Sequence, residues 1–116
     1  MSMATLDQIR LSEQDRSAIR EAARLLVDAF GARRVVLFGS KARGDDTADS
    51  DIDLLVLTDH RPTWNQRLAM RTALQTVQSA HNVLISLVLV PEDQWHHGPY
   101  QALPIWAEID RDGVVV

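Results

Sequence analysis

The sequence predicts an α/β fold of the α+β kind, a small mixed β-sheet with helices packed on it in the order α-β-β-α-β-α-β. Three observations predict it. A long segment repeats apolar residues at helical spacing between capping residues. Three apolar runs, Arg34 to Phe38, Asp51 to Thr58 and Val83 to Val90, have the length of strands. A second long helical segment separates the last two runs.

The first ten residues carry no strong pattern and read as a loose N-terminal arm. Ser12 to Phe30 is helical, with Ser12 as N-cap, Asp15 three residues on, and Ile19, Ala22, Leu26 and Phe30 along one face. Gly31 follows as the C-cap. Arg34 to Phe38 (RVVLF) is a short buried strand, and Gly39 to Ser50 has strand-breaking composition. In the strand Asp51 to Thr58, the residues Asp51, Asp53, Leu55 and Leu57 share a face. Pro62 opens a second helix running to about Ala80, since proline suits a first helical turn. Val83 to Val90 (VLISLVLV) is almost continuously apolar, which predicts burial on both faces. Glu92 to His97 forms one helical turn, Tyr100 to Asp110 is helical in part, and Asp112-Gly113 turns the chain into a terminal strand, Val114 to Val116.

The 116 residues fit a single domain covering 1–116, with one modest core. A net charge of −4 argues against direct nucleic-acid binding, which needs clustered Lys and Arg. Without cysteine there is neither a disulfide nor thiolate catalysis. No signal core and no run near the roughly 18 apolar residues of a membrane span is present, so the sequence reads as soluble and cytoplasmic, with no membrane partner.

The chemistry is concentrated in Val35 to Leu57, VVLFGSKARGDDTADSDIDLLVL. A strand ends directly in Gly39-Ser40. Glycine lets a phosphate approach the backbone, and Ser40 adds a hydroxyl beside N–H groups that can form an anion nest. Lys41 and Arg43 place positive charge nearby, and a short helix starting here would aim its dipole at the same anion. After a ten-residue spacer from Ser40, alternation puts Asp51 and Asp53 on one face, about 7 Å apart along the chain. Paired carboxylates repel unless a cation relieves them, and Mg²⁺ accepts such oxygens together with water and phosphate. Phosphate on the glycine turn and metal on the aspartates is the equipment of phosphoryl or nucleotidyl transfer. The segment is neither a P-loop nor a dinucleotide fingerprint, because Gly-Lys-Ser/Thr and G-x-G-x-x-G are both absent.

This stretch resembles the signature of the DNA polymerase β-like nucleotidyltransferase superfamily, and its Gly-Ser-Lys-Ala-Arg-Gly opening and ten-residue spacer resemble the minimal nucleotidyltransferase (MNT) branch. The resemblance implies a polymerase β-like core. Gly39 and Ser40 would bind the ATP phosphates, Asp51 and Asp53 would be the catalytic, Mg²⁺-holding acids, and Arg43 would brace the loop or touch phosphate. It further implies an antitoxin paired with a HEPN-type ribonuclease toxin, transferring AMP from ATP to a tyrosine of that toxin. Oligomeric state stays open.

The resemblance stops at one position. Members of the family carry a third acid on a later strand, and here that strand is VLISLVLV, with Ser86 in the vacant slot and Leu84 and Val88 flanking it on the same face. Serine is a poor Mg²⁺ ligand and no unaided general base. The alternative reading is therefore a catalytically impaired antitoxin that neutralises its ribonuclease by direct binding.

The remaining candidates have plainer readings. Asp45, Asp46 and Asp49 read as a solvated loop. Adjacent His96 and His97 point apart on a helix and make a poor metal pair. Trp64, Trp95 and Trp106 read as core or interface residues, since no basic stripe accompanies them in the sequence. Trp95, Tyr100 and Trp106 divide evenly between a partner-binding patch and ordinary packing.

Overall fold

The computed structural model describes residues 3–116. Its strands are β1 (Ala4–Thr5), β2 (Arg34–Phe38), β3 (Ile52–Thr58), β4 (Ile85–Pro91) and β5 (Val114–Val115). Its helices are α1 (Glu13–Phe30), α2 (Ser40–Arg43), α3 (Trp64–His81), α4 (Glu92–His97) and α5 (Pro104–Asp112), with 3-10 turns at Leu6–Gln8 and Pro99–Ala102. One mixed sheet runs β1-β5-β2-β3-β4, so the α/β expectation holds. β2 is antiparallel to β3 and β5, and β3 is parallel to β4 through the α3 crossover.

Local signals explain the helices. The Ser12 hydroxyl accepts the Asp15 N–H at 3.0 Å, and Gly31 ends α1 at φ 69°. α3 begins at Trp64 rather than at Pro62. Thr63 caps it by a reciprocal box, its hydroxyl accepting the Gln66 N–H at 3.1 Å while the Gln66 side chain accepts the Thr63 N–H at 2.8 Å.

The sheet has a core on each face. α1 and α3 cover Ile52, Leu54 and Val56 with Ile19, Leu26, Met70 and Leu74. On the other face Val36, Phe38, Leu55 and Leu57 meet Trp95 and Ile109. The C-terminal aromatics belong to this second core. Trp95 is buried, its ring centroid is 6.2 Å from Tyr100 and 6.4 Å from Trp106, and the Trp106 Nε1–H donates to its carbonyl at 3.1 Å. Packing accounts for Trp95, while Tyr100 and Trp106 pack against it and stay half-buried.

Three expectations need correction. Residues 4–10 are not a loose arm. Ala4 and Thr5 pair in parallel with Val114 and Val115, Leu6 is buried, and Arg16 on α1 donates to the carbonyls of Leu6 and Ile9. Residues 1 and 2 of that arm lie outside the described residues. β4 is not buried on both faces, because it is the edge strand, and only Val90 and Pro91 in it are fully buried. Trp64 is no core residue, being 75% exposed on the first turn of α3.

Candidate nucleotide and metal site

The β2–β3 register sets the site. Phe38 pairs with Asp53, so the end of β2 delivers Gly39 against the Asp53 side chain. Gly39 sits at φ 76°, and a Cβ on it would overlap Asp53 Oδ2. Only glycine meets both demands. Ser40, half-buried, starts the single turn of α2, whose first N–H groups have no intrahelical acceptor and suit an anion. The Ser40 carbonyl accepts from Gly44 and Asp45 at 2.9 and 3.1 Å, closing the turn tightly.

Asp53 is half-buried inside β3, which starts at Ile52 rather than Asp51, and Asp51 lies exposed two residues before Asp53, on the same face if the alternation of the strand continues to it. Burial raises the pKa of the Asp53 carboxyl above its ordinary value. The charges of Asp51 and Glu108 push the same way, and only Arg43 opposes them. This donor set fits a hard divalent cation, which would relieve the repulsion between two carboxylates on one face. Among the described residues no third His, Asp or Glu completes a metal cluster, so the remaining positions on such an ion would fall to water and other oxygen ligands.

Gly39 thus meets Asp53 directly, Ser40 adjoins Gly39, and Asp51 stands two residues before Asp53. Of the two basic residues, Lys41 is the one that departs from expectation. Lys41 is 2% exposed, and its ammonium donates to Asp15 Oδ2 at 2.8 Å and Asp46 Oδ2 at 3.1 Å. Burial alone would lower its pKa, but the hydrogen bonds and charges of the two acids outweigh that and raise it. Lys41 therefore locks the 44–51 loop to α1 and offers no charge to a phosphate, and Asp46 is its partner rather than a solvated loop acid. Arg43 Nη1 reaches Glu108 on α5 at 2.8 Å and Nε reaches Asp45 at 3.2 Å, tying the glycine turn to the last helix.

Glu108 is the residue that sequence reasoning missed. It lies 65 positions from Arg43, beyond any motif window. Ser86 stands where the resemblance placed it. It pairs with Asp53 in the parallel register, so the two side chains share a face. A cavity of about 470 Å³ on the far side of the 44–51 loop, lined by Asp15, Lys41, Asp46 and Asn82, touches the site only through Asp51. The histidines take no part in it. His60 pairs with Asp59, His81 with Glu21, and His96 and His97 are exposed.

Comparison with known proteins agrees with this geometry. The family described as "Polymerase beta, Nucleotidyltransferase" matches residues 21–95. A Methanocaldococcus jannaschii protein named "Putative protein adenylyltransferase" is 29% identical over 100 residues, covering 84% of this chain and 88% of its own. A second protein of that name and organism is 36% identical over 56 residues, which are 48% of this chain and 57% of its length. Among solved structures, one described as "putative minimal nucleotidyltransferase" superposes with TM-score 0.60 at 27% identity over the whole of both chains. A toxin–antitoxin crystal structure with AMP-PNP shares the fold, with TM-score 0.58 at 19% identity over 89% of this chain and 71% of that one. With a family match that spans the glycine turn, both aspartates and most of the sheet, the chain belongs to the polymerase beta nucleotidyltransferase family.

Proposed function

We propose that this chain transfers AMP from ATP to a hydroxyl, a tyrosine of a partner toxin of HEPN type, and so acts as an antitoxin. The observation that carries the proposal is the apposition of the Gly39–Ser40 turn to Asp53, with Asp51 on the same face. The names of the Methanocaldococcus jannaschii relatives and the AMP-PNP-bound toxin–antitoxin neighbour support the same reading.

Gly39 and Ser40 would bind the β- and γ-phosphates, and Asp51 and Asp53 would hold Mg²⁺. When bound, that ion supplies charge neutralisation at the phosphates and a lowered pKa at the attacking hydroxyl. The tyrosine oxygen attacks the α-phosphorus and forms the new P–O bond. The bond from the α-phosphorus to the bridging oxygen breaks, and pyrophosphate leaves. Ser86 cannot act as base, so the acceptor proton would pass to water or to Glu108, the further carboxylate whose charge acts on Asp53. Arg43 braces the loop through its bonds to Asp45 and Glu108.

The test is an intact-mass spectrum of the neighbouring-gene product after co-expression with the wild type or with Asp51→Asn/Asp53→Asn. A gain of AMP units with wild type alone is expected. Ser86 beside Asp53 favours a second reading, an antitoxin that binds its ribonuclease without modifying it. An unmodified partner that co-purifies with the double mutant and stays neutralised would establish that reading instead.

A further inference from the structure

We infer that the open edge of β4 and the arginine-bearing face of α3 beside it dock an acidic, extended segment of a partner protein, which adds to the sheet as a further strand. β4 ends the strand order, so one side of its backbone is unpaired by any described strand. The Ile52 N–H donates to the Leu84 carbonyl at 2.9 Å, which turns the even-numbered residues of β4 toward β3. The peptide groups of Leu87 and Leu89 therefore point to the open side. The Gln78 side chain accepts the Ile85 N–H at 2.8 Å and closes only the first outward donor. Exposed edges are ordinarily blunted by charge, bulge or interior proline. β4 reads ISLVLVP and has no charge along its length.

A groove flanks this edge. A hollow of about 360 Å³ lies between β4 and Arg71, Leu74, Gln75 and Gln78 of α3. It meets a second, of about 320 Å³, at Arg71, where Arg61, Trp64, Arg67 and Leu68 form the walls. Leu68 is 52% exposed and Leu84 65%. Among the described residues none of Arg61, Arg67 and Arg71 has an acidic partner within ion-pair distance.

Charge selects the occupant. The chain is net negative, yet this face concentrates arginine, so it attracts an acidic segment that the rest of the surface repels. A second copy joined edge to edge would bring two Arg71 grooves together and is disfavoured. Nucleic acid offers no strand to the Leu87 and Leu89 peptide groups, whereas an extended peptide gives main-chain bonds for affinity and side chains for specificity. A segment lying on β4 passes Ser86, the residue paired with Asp53, and would carry its hydroxyl toward the site. That delivery rests on the proposed transferase reading, and the docking itself does not.

The experiment omits ATP and metal so that the two can fail separately. A fluorescein-labelled decapeptide alternating Glu and Val around one Tyr is titrated by anisotropy, beside its Lys-for-Glu counterpart and an oligoadenylate of equal length. The acidic peptide is expected to bind, to lose at least tenfold in affinity with Arg67→Glu/Arg71→Glu, and to slow amide exchange at Leu87 and Leu89. Arg71 is exposed and Arg67 half-buried, so a melting curve of the double variant and the single Arg71→Glu variant are measured beside the titration, and the same loss of binding is expected in a variant that melts like wild type. No binding at millimolar acidic peptide, equal or tighter binding of the basic peptide or the oligonucleotide, indifference to charge reversal, unprotected Leu87 and Leu89 amides, or a dimer held through β4 in sedimentation would each overturn the proposal.

Discussion

The Asp53 carboxylate lies against the Cα of Gly39, in the space that a side chain at that position would need. Gly39→Ala therefore meets two penalties, left-handed backbone at φ 76° and overlap with Oδ2. Strained backbone alone costs about 1–3 kcal/mol. Gly31→Ala is the control, since φ is 69° there but nothing lies within 4 Å. Both variants should melt below wild type, Gly39→Ala further, and only Gly39→Ala should lose ATP binding by calorimetry. Equal ATP affinity in both would contradict the assignment of the turn.

Asp53→Asn should stabilise the fold while abolishing nucleotide transfer. The folded-state pKa of Asp53 is raised by burial and then by Asp51 and Glu108, so the ionised carboxylate is disfavoured in the fold. The folded state then holds its proton to higher pH than the unfolded chain does. Stability falls as pH rises from the unfolded value, about 3.9, through the raised folded value, above which the penalty is complete. The melting temperature of the mutant should exceed that of wild type at pH 7, with the gap closing in acid. Added Mg²⁺ should raise the wild type only. A mutant less stable than wild type at pH 7 would show that Asp53 is held by a favourable partner instead.

Lys41→Met tests whether the buried ammonium is structural. Removing one member of a buried ion pair costs about 3–5 kcal/mol, and here Asp15 and Asp46 keep some water access, which puts the loss near about 3 kcal/mol. Because the Lys41 pKa is raised, its contribution is fully present below the unfolded value, about 10.4, and is lost as pH rises through the folded one. Wild type should show that alkaline loss in urea titrations and Lys41→Met should not. ATP affinity should weaken only to the extent that the 44–51 loop loosens. A stable mutant with abolished ATP binding would return Lys41 to the phosphate.

Legibility in the sequence followed locality. α1 could be read because Ser12, the apolar face and Gly31 are all neighbours along one helix. Gly39, Ser40, Asp51 and Asp53 could be singled out together because they lie within fifteen positions, at a turn and at the start of one strand. What failed depended on distant partners. β1 exists through pairing with Val114 and Val115 at the other end of the chain, and the edge position of β4 follows from topology, to which its unbroken apolar run is blind. Lys41 finds Asp15 across 26 positions. Trp64 is the exception, because Arg61, Arg67 and Arg71 lie within seven positions of it and their basic setting was legible from spacing alone.

Glu108→Gln separates proton transfer from architecture. The residue is partly exposed, and its bond to Arg43 joins two solvent-accessible groups, so stability should change little. Glutamine keeps the shape and can still accept from Arg43, but it cannot take a proton. If Glu108 receives the acceptor proton, turnover in the AMP-transfer assay should fall roughly 100-fold with ATP affinity preserved, the scale of a lost general base. The rate should then recover partly as pH rises and hydroxide replaces the missing carboxylate. Substituting Ser86→Asp in the same background would place an acid on the face of Asp53 by the β3–β4 register, and it should restore transfer. Full activity in Glu108→Gln alone would assign the proton to water and leave Glu108 as the anchor of Arg43.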